Sequence, residues 1–117
     1  RQCRRQRQMC IRDSSNSIQE YVESEGFSIV RELVGHGIGR QLHTTPQIPN
    51  FSNPATMDLN VELKEGMCLA IEPMVNMGTR HIKTDSDGWT IRTEDGNASA
   101  HFEHSILITK FQPRILT

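Results

Sequence analysis

His36, His43, Glu72 and Glu103 stand out because each sits in a short setting suited to holding or serving a divalent metal. The settings are Gly35-His36-Gly37-Ile38-Gly39, His43 seven residues later, Ile71-Glu72-Pro73-Met74, and Phe102-Glu103-His104. Imidazole nitrogen and carboxylate oxygen suit borderline and hard ions such as Mn, Fe, Co or Zn, and two carboxylates allow one of them to bridge a metal pair. Sulfur ligation is not indicated. Cys3 and Cys10 lie in an arginine-rich start, and Cys68 lies in the apolar run Met67-Cys68-Leu69-Ala70-Ile71, where a buried reduced thiol is the default.

Each candidate has a bland alternative. A lone histidine is more often a hydrogen-bonded core or surface residue than a ligand. The glycines around His36 weigh against that, because they let backbone and metal approach closely. Glu72 and Glu103 lie in otherwise apolar runs, where an unpaired carboxylate is costly. His43 could be a histidine packed at a strand end, Trp89 simply core, and Met67, Met74 and Met77 packing. His101 shares a strand face with Glu103 and could either support or perturb it.

Several elements must position these residues. Residues 14–17 predict the cap of a helix running to about Glu25, with Ile18, Tyr21 and Val22 on its inner face and Gly26 ending it. Residues 27–31 predict a strand entering the glycine-rich loop, and residues 45–54 a proline-punctuated loop. Three more strands are expected at about 67–75, 89–93 and 101–109. Alternation turns Ala70, Glu72 and Met74 to one side and Leu69, Ile71 and Val75 to the other, so Glu72 leaves the apolar face. Glu103 leaves it likewise, and His104, on the apolar face, reads as a hydrogen-bonded support. Asp85-Ser86-Asp87-Gly88 and Glu94-Asp95-Gly96-Asn97 carry turn chemistry.

A chain of 117 residues supports one modest core. No run approaches the ~18 apolar residues of a membrane span. Residues 1–13 differ from the rest, with five arginines, two cysteines and no periodic apolar pattern, and they read as a basic tail, artefactual or disordered. Such a tail could neutralise phosphates, but no specific nucleic-acid binding is expected. Without it, 8 basic and 13 acidic residues remain, so the net charge of −1 conceals a domain at −5. With Cys68 alone in that domain a disulfide framework is unavailable, and a reducing cytoplasm is the expected compartment.

The run Gly35-His36-Gly37-Ile38-Gly39-Arg40-Gln41-Leu42-His43, then Glu65-Gly66-Met67 through Glu72-Pro73-Met74-Val75-Asn76, Gly88-Trp89-Thr90, and Phe102-Glu103-His104 through Thr109 resemble, in that order, the C-terminal half of the type I methionine aminopeptidases. The resemblance covers residues 14–117. It implies an α+β fold, half of the pita-bread architecture, in which a curved antiparallel sheet is covered by helices. It also implies a metallo-aminopeptidase that hydrolyses the first peptide bond of nascent proteins after methionine, with a small residue following.

By the same resemblance His36, Glu72 and Glu103 are metal ligands for two divalent ions (Co, Mn, Fe or Zn), and Glu72 also shuttles a proton. His43 contacts the scissile peptide, and Leu42 and Trp89 line the methionine pocket. The family usually carries Gln where this chain has His101. Partners would be N-terminal methionine peptides and, transiently, the ribosome, with a monomeric complete enzyme. The family's two aspartate ligands and a further substrate histidine belong to a preceding half; before His36 the one aspartate is Asp13. Residues 14–117 alone are therefore expected to hold one metal weakly, without useful turnover, and to be marginal and association-prone. Two alternatives are Xaa-Pro peptidases of the same fold, which usually follow Glu-Pro with Gly where this chain has Met74, and non-catalytic binding modules, which typically lose ligands.

Overall fold

The computed structural model describes residues 9–52 and 61–117. Among the described residues the one α-helix, α1 (Ile11–Ser24), begins three residues before the expected cap. The reason is local: the Cys10 N–H donates to the Asp13 carboxylate at 3.0 Å, which satisfies the amide at the helix start and places a negative charge at the positive end of the helix. Ser15, expected near the cap, lies instead inside the helix, fully buried, with its hydroxyl against the Pro49 carbonyl at 2.5 Å. Ile11 and Ser15 form the buried stripe, whereas Tyr21, expected on it, is 70% exposed. Gly26, at φ +83°, ends the helix as expected. The basic-tail assignment of residues 1–13 falls outside the described residues for 1–8.

Five strands form the main sheet. They are β2 (Gly35–Ile38), β3 (Thr44–Ile48), β4 (Cys68–Ile71), β9 (His104–Leu107) and β10 (Arg114–Ile115), in the order β10-β9-β4-β2-β3. A second sheet joins β1 (Ser28–Ile29), β5 (Met74–Asn76) and β8 (Ser99–His101) in the order β1-β5-β8, and β6 (Ile82–Thr84) pairs with β7 (Ile91–Thr93) as a hairpin. The core is small. Ile11, Ile48, Leu69 and Ile108 are buried, and Leu63, Met67, Ile71 and Ile106 pack against them, so the start of α1 packs on the main sheet through Ile11.

The expected strands at 67–75 and 101–109 are each broken in two. β4 stops at Ile71 and β5 starts at Met74 in the other sheet, while β8 stops at His101 and β9 starts at His104. Pro73, which has no N–H to give to a ladder, sits in the first break. Pairing nevertheless continues in one register through both breaks, from Ile71↔His104 to Met74↔His101. Glu72 and Glu103 are thereby set opposite one another where the strand pair leaves one sheet for the other.

Two further differences have simple causes. β3 begins one residue before the segment expected to be loop and otherwise falls in it; Pro46 disguised it, but β3 is an edge strand, where a missing N–H is tolerated. The β2–β3 register shifts between His36 and Gly37, a bulge of the kind that re-aims a side chain. The turn at residues 85–88 does close the β6–β7 hairpin, with Gly88 at φ +71°.

The glycines beside His36 are required by packing. A Cβ on Gly35 would run into the Ala70 carbonyl of β4, and one on Gly37 into the Thr45 carbonyl of β3. Gly26, by contrast, faces open space. Gly35→Ala should therefore cost about 2–3 kcal/mol, in the range of overpacked interiors, against about 1 kcal/mol for Gly26→Ala, where only the backbone conformation resists. Urea denaturation of the two variants checks this; equal losses would mean that β2 and β4 are not held in close contact at Gly35.

Candidate metal centre

His36 lies on β2 opposite Ala70 of β4, two residues before Glu72. The bend after Ile71 carries Glu72 toward the imidazole, and the continuing register brings Glu103 up beside it. One donor atom from each of His36, Glu72 and Glu103 then falls within 4.8 Å of the other two, the only such group of three found among the described residues. His36 and Glu72 are mostly buried, with side chains 12% and 14% exposed, while Glu103 is exposed.

Hydrogen bonding fixes which way the imidazole works. His36 Nδ1 lies 2.9 Å from the Gly37 carbonyl, which can only accept, so Nδ1 carries the proton. The lone pair of Nε2 then points at Glu72 Oε2, 3.3 Å away. Two acceptors at that separation need a proton or a cation between them. The two carboxylates also crowd one another, with a donor atom of each within 4.8 Å. Glu72 has its pKa raised, first by burial and next by the neighbouring negative charge of Glu103, with His36 and His101 pulling the other way. Imidazole nitrogen with two carboxylates fits a borderline or hard divalent ion, and the mutual repulsion of the carboxylates is what such an ion would relieve.

The other residues named from the sequence are placed less tightly. His43 is exposed, and its ring centroid lies 4.2 Å from that of His36, tilted by 44°. Leu42, beside it, is 69% exposed. Trp89 is 86% exposed, so it is not core; it lines a groove of about 510 Å³ between the β6–β7 hairpin and the β1-β5-β8 sheet. Leu42 does not contribute to the wall of that groove. His104 makes the supporting hydrogen bond expected of it, through Nδ1 to the Thr117 carbonyl at 2.8 Å, but from an exposed position.

Two groove residues escaped the sequence reading. Met74, read as packing, lines the groove; its signal was present, since alternation puts it on the same side as Glu72. Arg92, on β7, also lines the groove and had no motif to mark it. His101 faces the groove from β8, opposite Met74 in register.

The raised pKa of Glu72 gives a signed expectation for the metal-free chain. A carboxyl that holds its proton more tightly when folded favours folding fully below its ordinary value of 4.5, and that contribution is lost as pH rises through the raised value. Glu72→Gln, neutral throughout, should therefore melt higher than the unchanged chain at neutral pH and lose that advantage near pH 4. Thermal unfolding from pH 4 to 7.5 with a chelator present tests it, and a gap independent of pH would refute the crowding of the two carboxylates.

The sequence pattern of metallopeptidase family M24 matches residues 2–110. The chain is 53% identical over 107 residues to a methionine aminopeptidase of Clostridium perfringens, covering 92% of this chain and 42% of the relative. It is 55% identical over 103 residues to methionine aminopeptidase 1 of Bacillus subtilis, covering 88% and 40%. The crystal structure of methionine aminopeptidase from Thermotoga maritima superposes with a TM-score of 0.87 at 52% identity, over 94% of this chain and 43% of that one. The chain thus spans about two fifths of the length of these relatives. With an α+β arrangement that matches half of the pita-bread fold, and with identity near one half to methionine aminopeptidases across nearly all its length, the chain belongs to the M24 metallopeptidases, which use divalent metal.

Proposed function

We propose that this chain serves the metal-dependent removal of the initiator methionine from newly made proteins, with residues 14–117 carrying its share of the site. The observation behind this reading is the triad of His36, Glu72 and Glu103 within 4.8 Å, with acceptor facing acceptor. His36 Nε2 and the two carboxylates would hold divalent metal, two ions of Co, Mn, Fe or Zn in a complete site. Metal supplies Lewis-acid polarisation of the scissile carbonyl and an activated water.

The chain's own groups do the rest. Glu72, whose carboxyl is already biased toward keeping a proton, is suited to accept one at its carboxylate and pass it to the leaving amine. His43, beside His36, donates a hydrogen bond to the carbonyl oxygen and fixes the peptide plane. Trp89 and Leu42 offer apolar surface to the methionine side chain. The substrates are N-terminal methionine peptides, met in the cytoplasm and in transient contact with the ribosome, by an enzyme that is monomeric when complete. No helix among the described residues is long and apolar enough to cross a membrane.

Three donors from this chain should bind a single ion weakly, without useful turnover. Calorimetric titration with Zn²⁺ should show one site, and His36→Ala should weaken it by at least roughly tenfold, the loss seen even for outer partners of metal ligands. Methionine release from a Met-Ala-Ser peptide should stay at background with Mn or Co added. Tight binding of two ions, or release by the chain alone, would overturn the three-donor reading; no Zn²⁺ binding at all would overturn the metal site.

A further inference from the structure

The groove given above to the methionine side chain measures size well and chemistry poorly. Its apolar wall, made by Val30, Leu33, Met74, Ile82 and Ile91, offers packing alone. A wall of that kind discriminates weakly between side chains of one shape, and a thioether sulfur fills nearly the space of a methylene. Any preference for sulfur must come from a polar group able to meet it.

Most polar side chains on the wall are already engaged. The Thr90 hydroxyl donates to Asp87 at 2.5 Å, the Thr93 hydroxyl to the Asn97 carbonyl at 2.7 Å, and the Ser99 hydroxyl to Asn76 Oδ1 at 2.7 Å. Arg92 is tied at Nε to Asp85 of its own hairpin at 2.6 Å, and Trp89 is 86% exposed. There remains the imidazole of His101, which has no hydrogen-bond partner among the described residues.

The second sheet decides where that imidazole stands. His101 pairs with Met74 across β8 and β5, and directly opposed residues of an antiparallel pair project to the same side, here the side on which both line the groove. Glu103 follows two residues later, and the imidazole is near enough to Glu72 to act on its charge. His101 is thus on the wall at the end next to the donor cluster. A methionine whose peptide bond lies at those donors must run its side chain past it. An imidazole keeps at least one ring N–H whether protonated or neutral, and a thioether sulfur is a weak acceptor.

We propose that His101 is a specificity-determining residue of the methionine pocket, its ring N–H meeting the thioether sulfur and so separating methionine from its all-carbon analogue norleucine. The inference rests on the reading that gives this groove to the methionine side chain. It adds the group that tells sulfur from carbon there, which the apolar wall cannot do.

Trp89 is the single tryptophan of the chain and borders the groove, so its emission reports occupancy without metal or turnover. Methionine amide and norleucine amide would be titrated into the full chain with a chelator present. The readout is the ratio of the two affinities, because norleucine is the more apolar ligand and the raw values carry that difference. In His101→Leu the ratio should move toward norleucine by roughly threefold, the worth of one weak neutral hydrogen bond. His101→Gln, which restores an N–H donor, should recover most of the loss. His101 is exposed on β8, so both variants should fold, and an unchanged emission of the unliganded chain checks it.

An affinity ratio that is the same in the unchanged chain and in His101→Leu would overturn the proposal while leaving the methionine pocket standing. A loss as large in His101→Gln as in His101→Leu would assign the effect to ring shape and overturn the hydrogen bond. No emission change with either amide would refute the pocket itself, and the proposal with it.

Discussion

The opposition of Glu72 to Glu103 is the constraint around which the rest of the structure is arranged. Like charges directly across an antiparallel pair destabilise it, and here one partner is also mostly buried. Nothing in the small core needs two carboxylates at that point. What holds them there is the unbroken register that runs from β4 and β9 into β5 and β8, anchored on one side by Leu69 in the core and on the other by Asn76 in the second sheet. The fold stores a local repulsion that a divalent cation would convert into attraction.

The third donor arrives by a different route. His36 comes from β2, whose glycines allow β2 to lie against the carbonyls of both neighbours, and the bulge beside it lets the imidazole turn toward the bend in β4. The Gly37 carbonyl then settles the tautomer, so geometry and protonation are fixed by the same short segment. A four-residue strand thus does three jobs, which explains why so much glycine is gathered around one histidine.

Legibility in the sequence followed the range of the forces involved. His36, Glu72 and Glu103 were readable because glycine spacing and charge in an apolar run are local signals, and the structure brings all three together. The bends were not readable, since the alternation of apolar and polar residues continues smoothly through Glu72 and Phe102; only pairing between strands reveals where one sheet hands over to the other. β3 was hidden by Pro46, whose cost depends on being an edge strand, a tertiary fact. The start of α1 was hidden by composition: Ile11 lies among arginines in sequence, yet it packs on Ile48 and Leu69 from distant strands.

The two halves of the site are coupled through the second sheet. Met74 and His101 pair across β5 and β8, one step beyond the bend that carries Glu72 and Glu103, so the groove wall and the donor cluster share the same strand pair. Asn76, fully buried, ties that pair to the loop behind it by donating to the Thr79 carbonyl at 3.0 Å and accepting from Ser99 at 2.7 Å. A side chain held in the groove would therefore rest on the same strand pair that positions the carboxylates. Changes at Asn76, which neither belongs to the donor cluster nor lines the groove, should act on both through the register alone, and that shared dependence is a more economical design than two independently supported sites in a core this small.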